Sequence, residues 1–290
     1  MAEGREPVVT LAVTGSTGAL GQLVARALSE QGVEQRLLVR DLSRAPALAG
    51  AFPVLFAYDD HDLARSALAG VDTLFMVSGA EAVDRLAQHR AFVDAAVDAG
   101  VQHIVYTSFF GAAPDCTFTL GRDHWATEEH IRASGLAFTF LRDNFYLELM
   151  RDLVGEDGVL RGPAGEGRVS AVSRADIARS AVAALLSPAD HAGSTYDLTG
   201  PEALTFTEIA AILSAHSDTP VTFHDETLEE AYASRLKWPA EQWEYDAWVS
   251  TYTAVARGEL AAVSDDVRLL TGRDPVSLET LLADTPRSTA

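Results

Sequence analysis

Three glycines punctuate Gly15-Ser16-Thr17-Gly18-Ala19-Leu20-Gly21 at intervals of three residues. That spacing suits a backbone turn that comes close to a phosphate. Gly15 permits a tight strand-to-helix turn, Gly18 lets backbone N–H groups approach a pyrophosphate, and Gly21 lets the next helix pack against the strand. The helix start then offers unpaired N–H donors and the positive end of its dipole, to which Ser16 and Thr17 add hydroxyls. The chemistry implied is recognition of a dinucleotide, with Gly15, Ser16, Thr17, Gly18, Ala19, Leu20 and Gly21 forming its phosphate loop.

The end of the second predicted strand selects between dinucleotides. An acidic residue about 20 positions beyond the loop would hold a ribose 2′-hydroxyl, as in NAD sites. This chain has Leu38-Val39-Arg40-Asp41, with Arg44 close by. Arginine pairs bidentately with a 2′-phosphate, so Arg40 and Arg44 favour NADP(H) over NAD(H). Asp41 leaves NAD(H) open, because it could hold a hydroxyl or partly neutralise Arg40. Further along, small, polar and aromatic residues stand at three successive strand ends: Ser78-Gly79, Ser108-Phe109-Phe110 and Asn144-Phe145-Tyr146. Ser78 and Gly79 are placed to pass a nicotinamide ribose. The three aromatics at 109, 110 and 145 suit a flat ring, with Asn144 or Tyr146 supplying a hydrogen bond. Residue by residue, core packing accounts for each aromatic better; the set at three successive strand ends points to a pocket.

The elements that must hold these residues alternate β-rich runs with helical stretches. Strands are predicted over Val8–Val13, Gln35–Val39, Pro53–Phe56, Thr73–Val77, His103–Thr107 and Ala137–Leu141, with helices between them ending at Gln31-Gly32, Ala69-Gly70, Ala99-Gly100 and Ser134-Gly135. Strands apolar throughout, joined by helical crossovers, predict an α/β fold of the Rossmann type, a doubly wound parallel sheet. Residues 1–142, completed by about 172–198, form the expected NADP(H)-binding domain. Residues 143–171 and 199–290 form a smaller, mainly helical C-terminal lobe for substrate. Within it Gly155–Gly167 reads as a loop or hairpin, Arg174–Leu186 as a helix and Thr195–Leu198 as a strand. Trp238, Trp243 and Trp248 either cap a pocket or form a subunit interface, as in a homodimer.

Composition narrows the partners. With 42 acidic and 22 basic residues among 290, the formal net charge of −20 repels nucleic acid and anionic lipid alike. No apolar run approaches the ~20 residues of a membrane span, and Met1–Glu6 has no secretory character. The single Cys116 rules out an internal disulfide and suits a cytoplasmic home. The eight histidines show no metal-ligand spacing, so no metal site is expected. Cys116 has no basic neighbour in sequence and reads as inert, and His89 reads as a packed helix histidine.

The GxxGxxG spacing and the blocks that follow are similar to the NmrA-like atypical short-chain dehydrogenases, and within them to the type 2 NAD(P)H:quinone oxidoreductase group. The resemblance rests on Val13 to Gly21, Val39-Arg40-Asp41, Gln88-His89-Arg90, Val105-Tyr106-Thr107-Ser108, Leu141-Arg142-Asp143-Asn144-Phe145-Tyr146, Ser173-Arg174-Ala175-Asp176 and Tyr196-Asp197-Leu198-Thr199-Gly200-Pro201. It covers almost the whole chain. It implies a Rossmann domain, a nicotinamide cofactor and Tyr58 beside it. Relatives often carry Asp-Tyr-x-Asp where this chain reads Ala57-Tyr58-Asp59-Asp60, so an expected adenine contact is absent.

Typical short-chain dehydrogenases donate a proton through a Tyr-x-x-x-Lys pair, which is absent after Ser108. His124 occupies the place where the resemblance puts lysine, four residues before Glu128 on one predicted helix face. His124, Tyr146 and Ser108 are therefore the candidate catalytic groups, and Ser108 and His124 also candidate cofactor contacts; an ordinary helix-surface pair accounts for His124 and Glu128 equally well. A missing acid matters little for quinones, because the hydroquinone anion is far less basic than an alkoxide. The reading is thus reduction of a quinone or similar conjugated aromatic carbonyl by NADPH. Two alternatives remain open: a non-catalytic NADP(H)-sensing regulator that binds a partner protein, and a reductase of ketone, enone or imine in secondary-metabolite tailoring.

Overall fold

The computed structural model describes residues 10–284. Val8 and Val9 of the predicted first strand, and the Met1–Glu6 stretch, lie outside the described residues. In chain order the elements are β1 (Leu11–Thr14), α1 (Ala19–Glu30), β2 (Gln35–Val39), β3 (Ala51–Leu55), α2 (His61–Leu68), β4 (Thr73–Met76), α3 (Arg85–Ala99), β5 (His103–Phe109), α4 (Thr119–Ser134), β6 (Ala137–Asp143) and α5 (Leu149–Asp152). They continue with β7 (Val159–Gly162), β8 (Arg168–Val169), α6 (Arg174–Leu186), β9 (Ser194–Leu198), β10 (Leu204–Thr205), α7 (Phe206–Ala215), β11 (Thr222–Asp225), α8 (Leu228–Arg235), α9 (Gln242–Ala256), α10 (Asp266–Thr271) and α11 (Leu278–Asp284).

One sheet of seven strands has the order β3-β2-β1-β4-β5-β6-β9. Pairing is parallel from β3 through β2, β1 and β4 to β5. This is the doubly wound order predicted from the apolar runs. β1 and β4 are buried at every position, as a strand covered on both faces must be. β3 lies at the edge, tolerates Pro53 and leaves Phe52 exposed. β5 and β6 each run two residues beyond the predicted ends. The Phe110 N–H donates to the Asp143 carbonyl at 2.9 Å, so the ladder outlasts the apolar sequence that begins it.

The chain divides into two compact units. The first holds described residues 10–107, 126–141 and 178–196, and packs Leu74, Met76, Phe92, Ile104, Tyr106 and Phe140 in its core. The second holds 108–125, 142–177 and 197–284, around a core that includes Phe110, Met150, Leu160, Phe206, Tyr252 and Val255. It is comparable in size to the first because it takes in the residues after β5 and the start of α4. Within it the stretch predicted as a loop or hairpin carries β7, and β8 follows it directly, each strand in a two-stranded sheet. β7 pairs in parallel with β11, and β8 pairs antiparallel with β10, partners that lie far along the chain. No local signal could reveal them. No described helix is long and apolar enough to cross a membrane.

Candidate functional site

The phosphate-sized turn of the first unit is built as its sequence requires. Gly15 takes φ +66°, and its carbonyl accepts from the Gly18 N–H at 2.8 Å. A Cβ on Gly21 would overlap the Gly15 carbonyl oxygen, so only glycine lets the helix sit so close to the strand end. Helix α1 begins at Ala19 with no side-chain cap and no acidic residue in its first turn. Its first N–H groups are therefore left for a ligand, and the dipole favours an anion there. Ser16 is fully buried beside this turn, and its Oγ has no hydrogen-bond partner. A buried hydroxyl without a partner costs about 1–3 kcal/mol, which a phosphate oxygen would recover. Orphan hydroxyl, uncapped helix and glycine turn all fit the diphosphate of a dinucleotide.

At the end of β2 the side chains sort themselves. The Asp41 carboxylate accepts from the Ser43 N–H at 2.9 Å and from its hydroxyl at 2.7 Å, capping a 3-10 turn over Leu42–Arg44. Those bonds hold its pKa below the usual carboxylate range. Asp41 is thus occupied locally, and Arg40 stands exposed with no ion pair among the described residues. Tyr58 turns inward. Its hydroxyl donates to the Val77 carbonyl at 2.5 Å and lies 3.1 Å from Thr14 Oγ1, and burial pushes its pKa up to about 12. The hydroxyl ties the ends of β1 and β4 together, which leaves only the ring to face a ligand.

The Ser78-Gly79 turn after β4 is held by three hydrogen bonds to its backbone. The Ser78 N–H donates to Thr107 Oγ1 at 2.8 Å, the Gly79 N–H to His89 Nε2 at 2.8 Å, and Arg85 Nε to the Gly79 carbonyl at 3.0 Å. Because His89 Nε2 accepts, its proton sits on Nδ1, 3.0 Å from Thr127 Oγ1. Burial, reinforced by the Arg85 guanidinium, depresses the His89 pKa to about 3. The ring is neutral at any ordinary pH and works as a rigid bracket. His89 is a packed helix histidine, as read from sequence, but its packing positions Gly79.

The remaining candidates gather in the second unit. The Phe109 ring contacts Phe118, His124 and Phe145 at centroid distances of 4.7, 6.0 and 5.9 Å. Ser108 and Phe110 are buried. Glu128, which the sequence pairs with His124, receives Arg132 Nη2 at 3.2 Å. Asn144 is committed internally: its amide donates to Ser170 Oγ and the Leu260 carbonyl at 2.9 and 3.1 Å, and its oxygen accepts from the Phe145 N–H at 2.8 Å. Little of it is left for a substrate. The Tyr146 hydroxyl lies 3.4 Å from Asp143 Oδ2, under an Arg174 guanidinium 4.8 Å above the ring. Burial raises its pKa far above the ordinary value, which makes it a poor acid. Asp143 is buried, its Oδ1 has no partner, and burial raises its pKa well above the carboxylate range. A carboxyl in that state gives up its proton less readily than an exposed one, because burial penalises the charged form.

The second unit also encloses a cavity of about 530 Å³, walled by Phe145, Phe206, Trp238, Trp248 and Tyr252. Its size is that of a small-molecule site. Of the two uses left open for the tryptophan segment, Trp238 and Trp248 serve as wall here. Cys116 is half-buried, with its Sγ 3.3 Å from the Phe118 carbonyl, and burial raises its pKa, so it has no thiolate character.

The sequence pattern of the NmrA-like family matches residues 8–244. The chain belongs to the NmrA-like family. This NmrA-like protein is 36% identical to an NAD(P)H azoreductase from Xenophilus azovorans over 90% of its own length and 92% of the other. In structure it is similar to an NADPH-dependent quinone oxidoreductase from Escherichia coli complexed with NADPH, with a TM-score of 0.86, 31% identity, and coverage of 94% of this chain and 98% of that one. It is also similar to the Citrobacter sp. triphenylmethane reductase complexed with NADP(H), with a TM-score of 0.83, 31% identity, and coverage of 95% and 100%.

Two groups in this NmrA-like chain escaped sequence reasoning. Asp143 lies inside the block Leu141 to Tyr146, yet nothing local says that its carboxyl ends up buried with one oxygen unpartnered. The bracket role of His89 depends on Gly79 and Thr127, 10 and 38 residues away. The block Gln88-His89-Arg90 was the one available signal.

Proposed function

We propose that this protein is an NADPH-dependent oxidoreductase that delivers hydride to a quinone or a similar conjugated aromatic carbonyl. The observation that carries the reading is the phosphate turn. It combines a buried Ser16 hydroxyl without a partner, an uncapped helix start and the close approach at Gly21. The relatives named above add to it: one is an NAD(P)H azoreductase, one an NADPH-dependent quinone oxidoreductase, and one a triphenylmethane reductase.

In this reading the first unit is the cofactor domain and the second the acceptor lobe. Ser16, the first N–H groups of α1 and the backbone of Gly15 to Gly21 hold the diphosphate. Arg40, free because Asp41 caps its own turn, takes the 2′-phosphate together with Arg44, and so prefers NADPH to NADH. The His89 bracket keeps the Ser78-Gly79 backbone rigid beside the cofactor, and the Tyr58 ring lines the same strand ends. The cofactor, when bound, supplies a hydride. The aromatic residues Phe109 and Phe145 hold a flat acceptor, while Phe110 packs into the core behind them; such a site suits proximity and orientation as the main source of rate. Ser108, His124 and the Tyr146–Asp143 pair stand on the proton side, where burial favours the neutral form of Asp143. The resting site needs no strong acid, because a hydroquinone anion is only weakly basic. An NADPH-using reductase belongs in the cytoplasm, where the lone Cys116 stays reduced. The net charge of −20 speaks against a nucleic-acid partner.

The test is steady-state oxidation of NADPH and of NADH by the purified protein with a neutral quinone (menadione) and with unconjugated ketones. The expected result is turnover on menadione, faster with NADPH and much slower on ketones. Tight NADPH binding without turnover on any acceptor would move the protein to the sensing reading.

A further inference from the structure

The charged side chains on the wall of the second unit's cavity are unequal. Arg161 is paired with Asp157 at 2.5 Å, and Arg235 with Glu226 at 2.9 Å while its guanidinium lies 5.2 Å from the Tyr252 ring centre. Their charges are already met. Lys237 is different. Its Nζ sits 4.2 Å above the Trp238 ring, it is exposed at the cavity rim, and no carboxylate pairs with it among the described residues. It is the only lysine in the 290-residue chain. Asp152 is the single carboxylate on the wall, against three basic side chains. With Arg161 and Arg235 met by Asp157 and Glu226, Lys237 is the cation left unpaired on this wall, in a protein with 42 acidic and 22 basic residues.

We propose that this cavity binds a planar aromatic acceptor bearing an anionic group, a carboxylate or a sulfonate, with the ring between the aromatic walls and the anion at Lys237. The inference rests on reading the second unit as the acceptor lobe. Three features argue for it together. The walls supply Phe145, Phe206, Trp248 and Tyr252 for a ring, and the cavity volume of about 530 Å³ admits a fused bicycle with room to spare. An ammonium poised over an indole face keeps its outer hydrogens for an anion while losing little hydration. Elsewhere the net acidic surface repels such a ligand, so a cation without a counter-ion on the cavity's own rim selects where it settles.

Binding of naphthalene-2-carboxylate and of its neutral isostere naphthalene-2-carboxamide to the full chain tests this. The carboxylate should bind about fivefold more tightly, the worth of one partly exposed charge pair, and the preference should fade in high salt. Lys237→Met should abolish the preference and Lys237→Arg should keep it. Because the chain has one lysine, reductive methylation with ¹³C-formaldehyde labels Lys237 and the N-terminal amine alone. The Lys237 methyl resonance should move on adding the carboxylate and stay in place with the carboxamide. Equal binding of the two ligands, a preference that survives Lys237→Met, or an unmoved Lys237 resonance under the carboxylate each overturns the assignment. Menadione turnover by the wild-type protein separates the two readings. Turnover without any carboxylate preference sinks the anion site and leaves the reductase standing, whereas a carboxylate preference without turnover on any acceptor sinks the reductase and leaves the anion site.

Discussion

Replacing His89 by leucine removes both ring-nitrogen bonds while filling most of the space. At pH 7.5 the change strands the Gly79 N–H and the Thr127 hydroxyl, each at 2.8–3.0 Å from the ring in the native protein. Two buried hydrogen bonds lost in this way cost about 2–3 kcal/mol. The pH dependence is more telling than the size. The unfolded chain protonates His89 near its ordinary 6.5, the folded chain only near 3. The group's contribution is therefore complete above pH 6.5 and drains away as pH falls toward 3. At pH 4.5 the native protein has lost about 2.7 kcal/mol through this residue, and the leucine variant has nothing to lose there. The gap between the two proteins should close almost entirely between pH 7.5 and 4.5. Urea unfolding followed by far-UV circular dichroism at both values measures it. A gap that stays the same at both pH values would show that folded His89 titrates normally, and the bracket would lose its physical basis.

Arg40→Ala should raise the KM for NADPH about ten- to a hundredfold, the worth of a charge-assisted pair, and leave that for NADH nearly unchanged; an equal loss on both cofactors would remove Arg40 from 2′-phosphate selection. Ser16→Ala should leave the free protein as stable as before, or slightly more so, because the hydroxyl has no partner to lose. In the same variant the rise in Tm produced by NADPH should shrink, as about tenfold weaker binding requires. Asp143→Asn should gain stability over the native protein as pH rises from 5 to 8. The native carboxyl has a raised pKa, so its contribution is complete below the unfolded value and is lost as pH climbs through the folded one. Urea midpoints across that range would show it, and a difference independent of pH would mean that Asp143 is ionised in the folded protein.

What the sequence determined by itself is whatever depends on neighbours along the chain. Apolar runs such as those of β1 and β4 can be stable only as strands covered on both faces, and the turns that end the intervening helices are local. The loop from Gly15 to Gly21 could be read because each glycine answers a demand of the turn it sits in. The place of Arg40 could be read because it follows its strand directly. Only the tertiary structure decided how polar groups are spent. Asp41 had two readings until its carboxylate was found on Ser43, and Asn144 looked available until Ser170 and Leu260 took its amide. His89 and Asp143 owe their states to burial and to partners, or the lack of them, that the fold brings from elsewhere. The parallel pairing of β7 with β11 and the unpaired ammonium of Lys237 at an aromatic cavity have the same origin. The physical reason is common to all of them. Backbone preference and hydrophobic period act over a few residues, whereas desolvation and hydrogen-bond partnership are properties of a place in three dimensions.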